Sequence, residues 1–278
     1  MATAADKFVR GPARVVMHRS ASLLVFSLGL AVGCWYLLAR LGGFHDFILP
    51  TPGIVAARGL AALWDGSLLS NSLVTLSEVL SGLVLGVTSA ALLGYLLAKS
   101  RSLESLLSPF IVASQSVPVV AIAPLLVIWF GPGLLSKVLI CTLIVFFPVL
   151  INTILGLRSV PDDLRDLMRS LQATHWQTFT RLEVPAALPV LLGGLRIGAT
   201  LSVIGAVVGE FVGANRGLGF LINQGRGVYD TALVFVAVFT LVMMAMMLYG
   251  MVVLLEARLL SWQRRQEHTT LTENELRG

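Results

Sequence analysis

The sequence predicts an all-α integral membrane protein of about six transmembrane helices, and three observations lead there. Uncharged apolar runs occupy 21–39, 79–98, 105–136, 138–157 and 231–255, and another at 184–209 carries Arg196 as its only charge. About 20 apolar residues, rising ~1.5 Å each, cross a ~30 Å hydrocarbon core, so each run is long enough to span a bilayer. In a chain of 278 residues that is 56% hydrophobic and 13% charged, little remains for a separate soluble domain. The runs are also continuously apolar and lack the in-and-out alternation of a membrane strand. The expected organisation is a polar amino-terminal segment over 1–19, a membrane domain over 20–258 and a polar tail over 259–278.

The first run follows a basic segment, and Ala31, Val32, Gly33 and Cys34 approach a lipoprotein cleavage box. The further runs make it an anchor rather than a cleaved signal. Between the first two runs, Pro50, Pro52 and Gly53 break helix, and a short surface helix is expected over 54–64. The third run exceeds one span and holds Pro109, Pro118, Pro124 and Pro132. Irregular helix beside a pathway and ordinary proline-kinked packing are both open readings of it. Gly82 with Gly86, Gly194 with Gly198 and Gly205 with Gly209 are packing signals that let helix backbones approach. Cys34 and Cys141 lie in apolar runs and read as small buried hydrophobes rather than as a disulfide.

Basic residues set the orientation, because cytoplasmic loops carry the excess of Lys and Arg. Lys7, Arg10, Arg14 and Arg19 precede the first run, Lys99 and Arg101 follow the second, and Arg158, Arg165, Arg169 and Arg181 follow the fourth. Arg258, Arg264, Arg265 and Arg277 follow the last, against Arg40, Arg58, Lys137, Arg216 and Arg226 on the other side. Both termini are therefore expected in the cytoplasm. The net charge of +5 then belongs mainly to the inner face, where anionic lipid attracts it, and no basic patch with interleaved aromatics points to nucleic acid.

The segment over 159–185 is a polar loop between the fourth and fifth runs. Ser159 is expected to cap a helix opened by Pro161, Asp162 and Asp163, and Leu164, Leu167, Met168 and Leu171 recur as an apolar stripe opposite Arg165, Arg169 and Gln172. Thr174 with Gln177 spells a capping box for a second short helix, on which Trp176 and Phe179 share an exposed apolar edge before Pro185 restarts the chain as span five. The residues alone leave two readings open: insertion into a groove of a soluble partner, or an interfacial helix pair lying on lipid.

Charges inside spans are costly and often functional, which singles out Glu78, Arg196 and Glu210. Glu78 and Glu210 fall near outer span ends, where each is expected either to reach interface water or to pair with Arg216 or Arg226. Arg196 is the one base within a run and can extend inward to the interface. Structural pairing is the favoured role, with solute contact the alternative. Enzyme readings fare badly: His18, His45, His175 and His268 are scattered, no metal-ligand spacing occurs, and no serine has a nearby intramembrane histidine. An ion-coupled secondary transporter is the rival class, and it would show internal repeats and an embedded ionisable network.

The loop resembles the conserved cytoplasmic loop of ABC importer permeases, in which an E-A-A triplet, a glycine and an I-x-L-P ending keep fixed spacing. Here the triplet corresponds to Asp166, Leu167 and Met168, the glycine to Gln172, and the ending to Leu182, Glu183, Val184 and Pro185. The resemblance runs from about 71 to 258 and includes SVPVVAIAPLLVIWFG at 116–131, FFPVLINTILGLRSV at 146–160 and GEFVGANRGLGFLI at 209–222. These strings are similar to the branch serving nitrate, sulfonate, taurine, thiamine-precursor and riboflavin import, and VVGEFVGANRGLG lies nearer the vitamin and vitamin-precursor members.

What the resemblance implies is a type I ABC importer permease bundle in a bacterial plasma membrane. A second permease chain, identical or homologous, would complete the pathway, an extracytoplasmic binding protein would deliver the solute, and a cytoplasmic ATPase dimer would bind the loops. Leu167, Met168, Leu171, Trp176 and Phe179 would anchor the loop in the ATPase, with Asp166, Arg169 and Arg181 at the rim and Gln172 at the elbow. No Walker loop occurs, since 131–137 lacks its spacing, so this chain is expected to bind no cofactor and ATP to be used by the partner.

Overall fold

The structure, a computed structural model, describes residues 12–43 and 45–260, with side chains from residue 23 onward except 24 and 25. The expected polar segments fall partly beyond this, at 1–11 and 261–278. Helices joined by short connections make up the described residues, with no strand among them. In order they are α1 (Pro12–Leu41), α2 (Pro52–Trp64), α3 (Ser67–Lys99), α4 (Arg101–Ser116), α5 (Val119–Phe130), α6 (Leu134–Arg158), α7 (Asp162–Ser170), α8 (His175–Thr178), α9 (Val184–Gly213), α10 (Leu218–Gly227) and α11 (Thr231–Leu259). A π-helical turn over Phe179–Glu183 joins α8 to α9.

Among the described residues, four helices are long and apolar enough to cross a membrane: α3, α6, the continuous His175–Gly213 and α11. The α4 and α5 pair passes the same test together but is bent by 91°, and Phe26–Leu41 within α1 is a shorter apolar stretch. The third apolar run is thus broken. Val117 and Pro118 are extended at the bend, where Pro118 has no N–H to continue α4 and disfavours helical backbone in the residue before it.

Several boundaries differ from those expected. Helix α1 begins at Pro12, inside the segment assigned to a polar amino terminus, and α3 begins at Ser67, well before its uncharged run. Pro52 and Gly53 do not break helix: Pro52 opens α2, where a missing N–H costs no hydrogen bond. Helix α10 was not anticipated.

The core is α6 clasped between α3 and α9. Glycines permit it: a Cβ on Gly82 would lie 2.2 Å from Cys141 Cβ, on Gly205 2.8 Å from Cys141 Cα, and on Gly194 2.7 Å from Asn152 Cβ. The small-residue spacings therefore serve packing within this chain. Cys141 is buried at that contact, whereas Cys34 faces outward, and neither is in a disulfide. Ion pairs tie the bundle across helices, Arg58 to Asp230 at 2.7 Å between α2 and α11, Lys99 to Glu183 at 2.5 Å between α3 and the π-turn, and Arg158 to Glu104 between α6 and α4.

Candidate functional site

Two constellations contain the residues singled out in the sequence, and they lie at opposite ends of α6 and α9. The first is the loop between those helices. Helix α7 starts at Asp162, with Pro161 rather than Ser159 in the cap position. The Ser159 hydroxyl donates back to Gly156 O at 2.8 Å, leaving Asp162 and Asp163 in the first turn to face the positive helix end. Arg165 bonds Asp162 and reaches back to the Leu157 carbonyl at 2.7 Å, pinning α7 to the end of α6. Asp166 and Arg169 pair at 2.9 Å on the exposed surface.

No residue of α7 is buried, so the described chain leaves the apolar stripe largely uncovered. Leu164, Leu167 and Leu171 are 42%, 53% and 67% exposed, and Met168 is half-buried. Helix α7 ends in a Schellman turn, with Ala173 N–H donating to Met168 O at 3.0 Å and Gln172 N–H to Arg169 O at 2.9 Å. That turn places Gln172 at φ 53°, the left-handed conformation that explains a glycine there in related loops.

The Thr174 and Gln177 capping box forms as expected, with both hydrogen bonds present at 3.2 and 2.8 Å. Pro185 does not restart the chain. The helix opened at His175 runs through the π-turn into α9, and Pro185 is accepted in the second position after that turn. Trp176 is 71% exposed, but Phe179 is half-buried, edge-on to Tyr95 of α3 at 5.2 Å between ring centroids. The shared outward edge therefore reduces to Trp176, while Phe179 seats the loop on α3. Arg181 faces outward, and Leu182 and Pro185 are half-buried. An apolar cavity of ≈ 520 Å³ opens beside Tyr95, Leu157, Trp176 and Phe179.

The second constellation lies at the other end. Glu78 and Glu210, each 1% exposed, meet Lys137, 5% exposed, with Lys137 Nζ 3.4 Å from Glu78 Oε1. Neither expectation holds: both glutamates are buried away from interface water, and the first turn of α6 brings this lysine, in place of Arg216 or Arg226, level with them. Lys137 rather than Arg196 is the deeply buried base. Arg196 is paired to Glu256 of α11, and its guanidinium lies 5.5 Å from the Tyr249 ring centroid.

Sequence reasoning missed Lys137, Glu183, Lys99, Thr75 and Asn71. Lys137 interrupts two apolar runs, which was its available signal. Glu183 is 1% exposed and takes Lys99 on one oxygen, with Oε2 unpartnered.

A bundle of apolar spans that projects a short helix with outward leucines from between two of them has the architecture of a multi-pass transport subunit. Residues 82–261 match the family described as binding-protein-dependent transport system inner membrane component. The chain belongs to that family, the permeases of ABC importers. It is 47% identical over 240 residues to the riboflavin transport system permease protein of Chloroflexus aurantiacus, covering 86% of this chain and 90% of that one. It is 37% identical over 253 residues to the formylaminopyrimidine transport permease protein of Halalkalibacterium halodurans, covering 90% and 100%. A putative aliphatic sulfonates transport permease protein of Bacillus subtilis is 30% identical over 236 residues, covering 85% and 86%.

Proposed function

We propose that this chain forms, with a second permease chain, the membrane pathway of an ATP-driven importer for a vitamin or vitamin precursor of the riboflavin or thiamine-pyrimidine type. An extracytoplasmic binding protein delivers the solute, a cytoplasmic ATPase dimer binds the α6–α9 loop and uses the ATP, and this chain binds no cofactor. Both termini then lie in the cytoplasm. The observation that carries the reading is α7, a charged helix whose leucines face outward between two membrane spans. Leaving that apolar surface uncovered opposes burial, and a groove on a soluble subunit covers it. The relatives named for riboflavin and formylaminopyrimidine transport support the solute class.

Mild solubilisation of the tagged chain, followed by mass spectrometry of what co-purifies, tests the loop. Wild type should retain a nucleotide-binding subunit, and a Leu167→Ala, Leu171→Ala variant should lose at least about tenfold of it while still inserting, since each anchor supplies ~1 kcal/mol or more. Equal recovery with both chains would overturn the loop assignment. Uptake of riboflavin, formylaminopyrimidine and taurine by cells with and without the chain decides the solute, and loss confined to taurine uptake would overturn the vitamin reading.

A further inference from the structure

The carboxylate of Glu210 does more than lie in the buried cluster with Glu78 and Lys137. Helix α10 begins inside the protein, where its first N–H groups have no helical carbonyl and cannot reach bulk water. Three side chains from other helices take them. Gly217 N–H donates to Asn71 Oδ1 at 2.7 Å, Leu218 N–H to Thr75 Oγ1 at 2.8 Å, and Gly219 N–H to Glu210 Oε2. The Thr75 hydroxyl in turn donates to Glu210 Oε1 at 2.6 Å, so each carboxylate oxygen holds one donor. A Cβ on Gly217 would stand 2.1 Å from Glu210 Oε1 and one on Gly219 2.8 Å from Oε2, so the carboxylate occupies the space both glycines leave.

Glu210 sits one turn before the end of a helix that starts at the α6–α9 loop. His175–Gly213 is 39 residues of unbroken helix, about 58 Å at ~1.5 Å per residue. Beyond it the chain is non-helical until Leu218, and the buried cap ties the two helices across that gap, with Asn223 Nδ2 of α10 donating to Phe211 O of α9 at 3.2 Å as a second, more exposed link.

We propose that Glu210, its carboxylate oriented by Thr75, is a positioning residue for solute passage: it fastens the start of α10, which Asn71 and Thr75 hold to α3, to the far end of the rod rising from the ATPase-binding loop, so that α10 moves with that loop. The inference rests on the importer reading. A displacement at Trp176 or α7 is carried by α9 to Glu210 and thence to α10, whereas an untied α10 lags behind the rod and the cycle turns over without passing solute.

The test compares wild type with Glu210→Gln in proteoliposomes holding the permease, its ATPase and its binding protein, with riboflavin as probe. The substituted amide keeps one acceptor oxygen for two donors, so its NH2 must face either Gly219 N–H or the Thr75 hydroxyl. Hydrogen exchange at the amides of 217–219 should speed up, and riboflavin taken up per ATP hydrolysed should fall at least tenfold while hydrolysis continues. Faster exchange with an unchanged ratio would overturn the transport role, and unchanged exchange would overturn the cap. Should Glu210→Gln fail to assemble, Thr75→Val, which keeps the carboxylate, is read by the same two measurements. A wild-type assembly that takes up no riboflavin on ATP, nor formylaminopyrimidine in its place, refutes the importer reading and the transport half of this inference together, while the exchange comparison still decides the cap.

Discussion

Gln172 shows how a single residue departs from its family pattern at a cost that can be measured. The Schellman turn after α7 needs left-handed backbone at this position, and Gln172 adopts φ 53°, where a Cβ crowds the following carbonyl. Replacing it with glycine should raise the stability of the purified chain by up to about 1 kcal/mol, and Gln172→Val, β-branched, should lower it by a similar or larger amount. Thermal unfolding of the two variants checks both signs. The spacing of the loop motif marked this elbow correctly, because turn chemistry is local. The partners of Glu78 and Glu210 were not legible, because Lys137, Thr75 and Gly219 lie on other helices, or across a loop, and only packing brings them level.

The same divide between local and non-local signals runs through the helices. Apolar runs located α3, α6, α9 and α11, since the length of a span is written in consecutive residues. Helix α10, ten residues long, escaped notice because a stretch too short to cross a membrane has no hydropathy signature of its own. The π-turn escaped because nothing in FTRLE distinguishes π from α; Tyr95 against Phe179 and Lys99 against Glu183 are the contacts there. The glycines were readable as packing signals but not by partner. Adjacent Gly193 and Gly194 on α9 separate the two cases. A Cβ on Gly194 meets Asn152 Cβ at 2.7 Å, and one on Gly193 meets nothing within 4 Å. Gly194→Ala should therefore destabilise the bundle by about 1–3 kcal/mol, through an α6–α9 contact that cannot yield without moving backbone. Gly193→Ala should be neutral or stabilise by up to about 1 kcal/mol through helix propensity. Denaturation midpoints of the two variants in the same detergent compare them directly.

For the whole molecule, the path of the broken pair α4 and α5 decides whether the charge-based orientation is consistent. If the pair turned back, α6 would start on the side where α3 ends, and the α6–α9 loop would fall on the opposite face from the one its arginines require. The contacts argue for crossing. Glu104 near the start of α4 pairs with Arg158 at the end of α6, and Leu103 and Leu107 pack beside Leu150 and Ile154. At the other extreme, Ala123 and Leu126 of α5 pack on Ile140 near the start of α6, and Gly131 to Gly133 join the two directly. The pair thus begins level with one end of α6 and finishes level with the other, about 37 Å away over its 25 residues at ~1.5 Å each. A 91° bend within that path makes it a span broken near its middle, and the prolines mark where. In a Cys34→Ala background, Ser102→Cys should react with a membrane-impermeant thiol reagent only in inside-out vesicles. Leu134→Cys, on the first turn of α6, should react only in right-side-out vesicles, and labelling of both from one side would make the pair a re-entrant hairpin. Cys141 is buried against α3 and α9 and should stay unlabelled from either side, so the readout belongs to the introduced thiols alone.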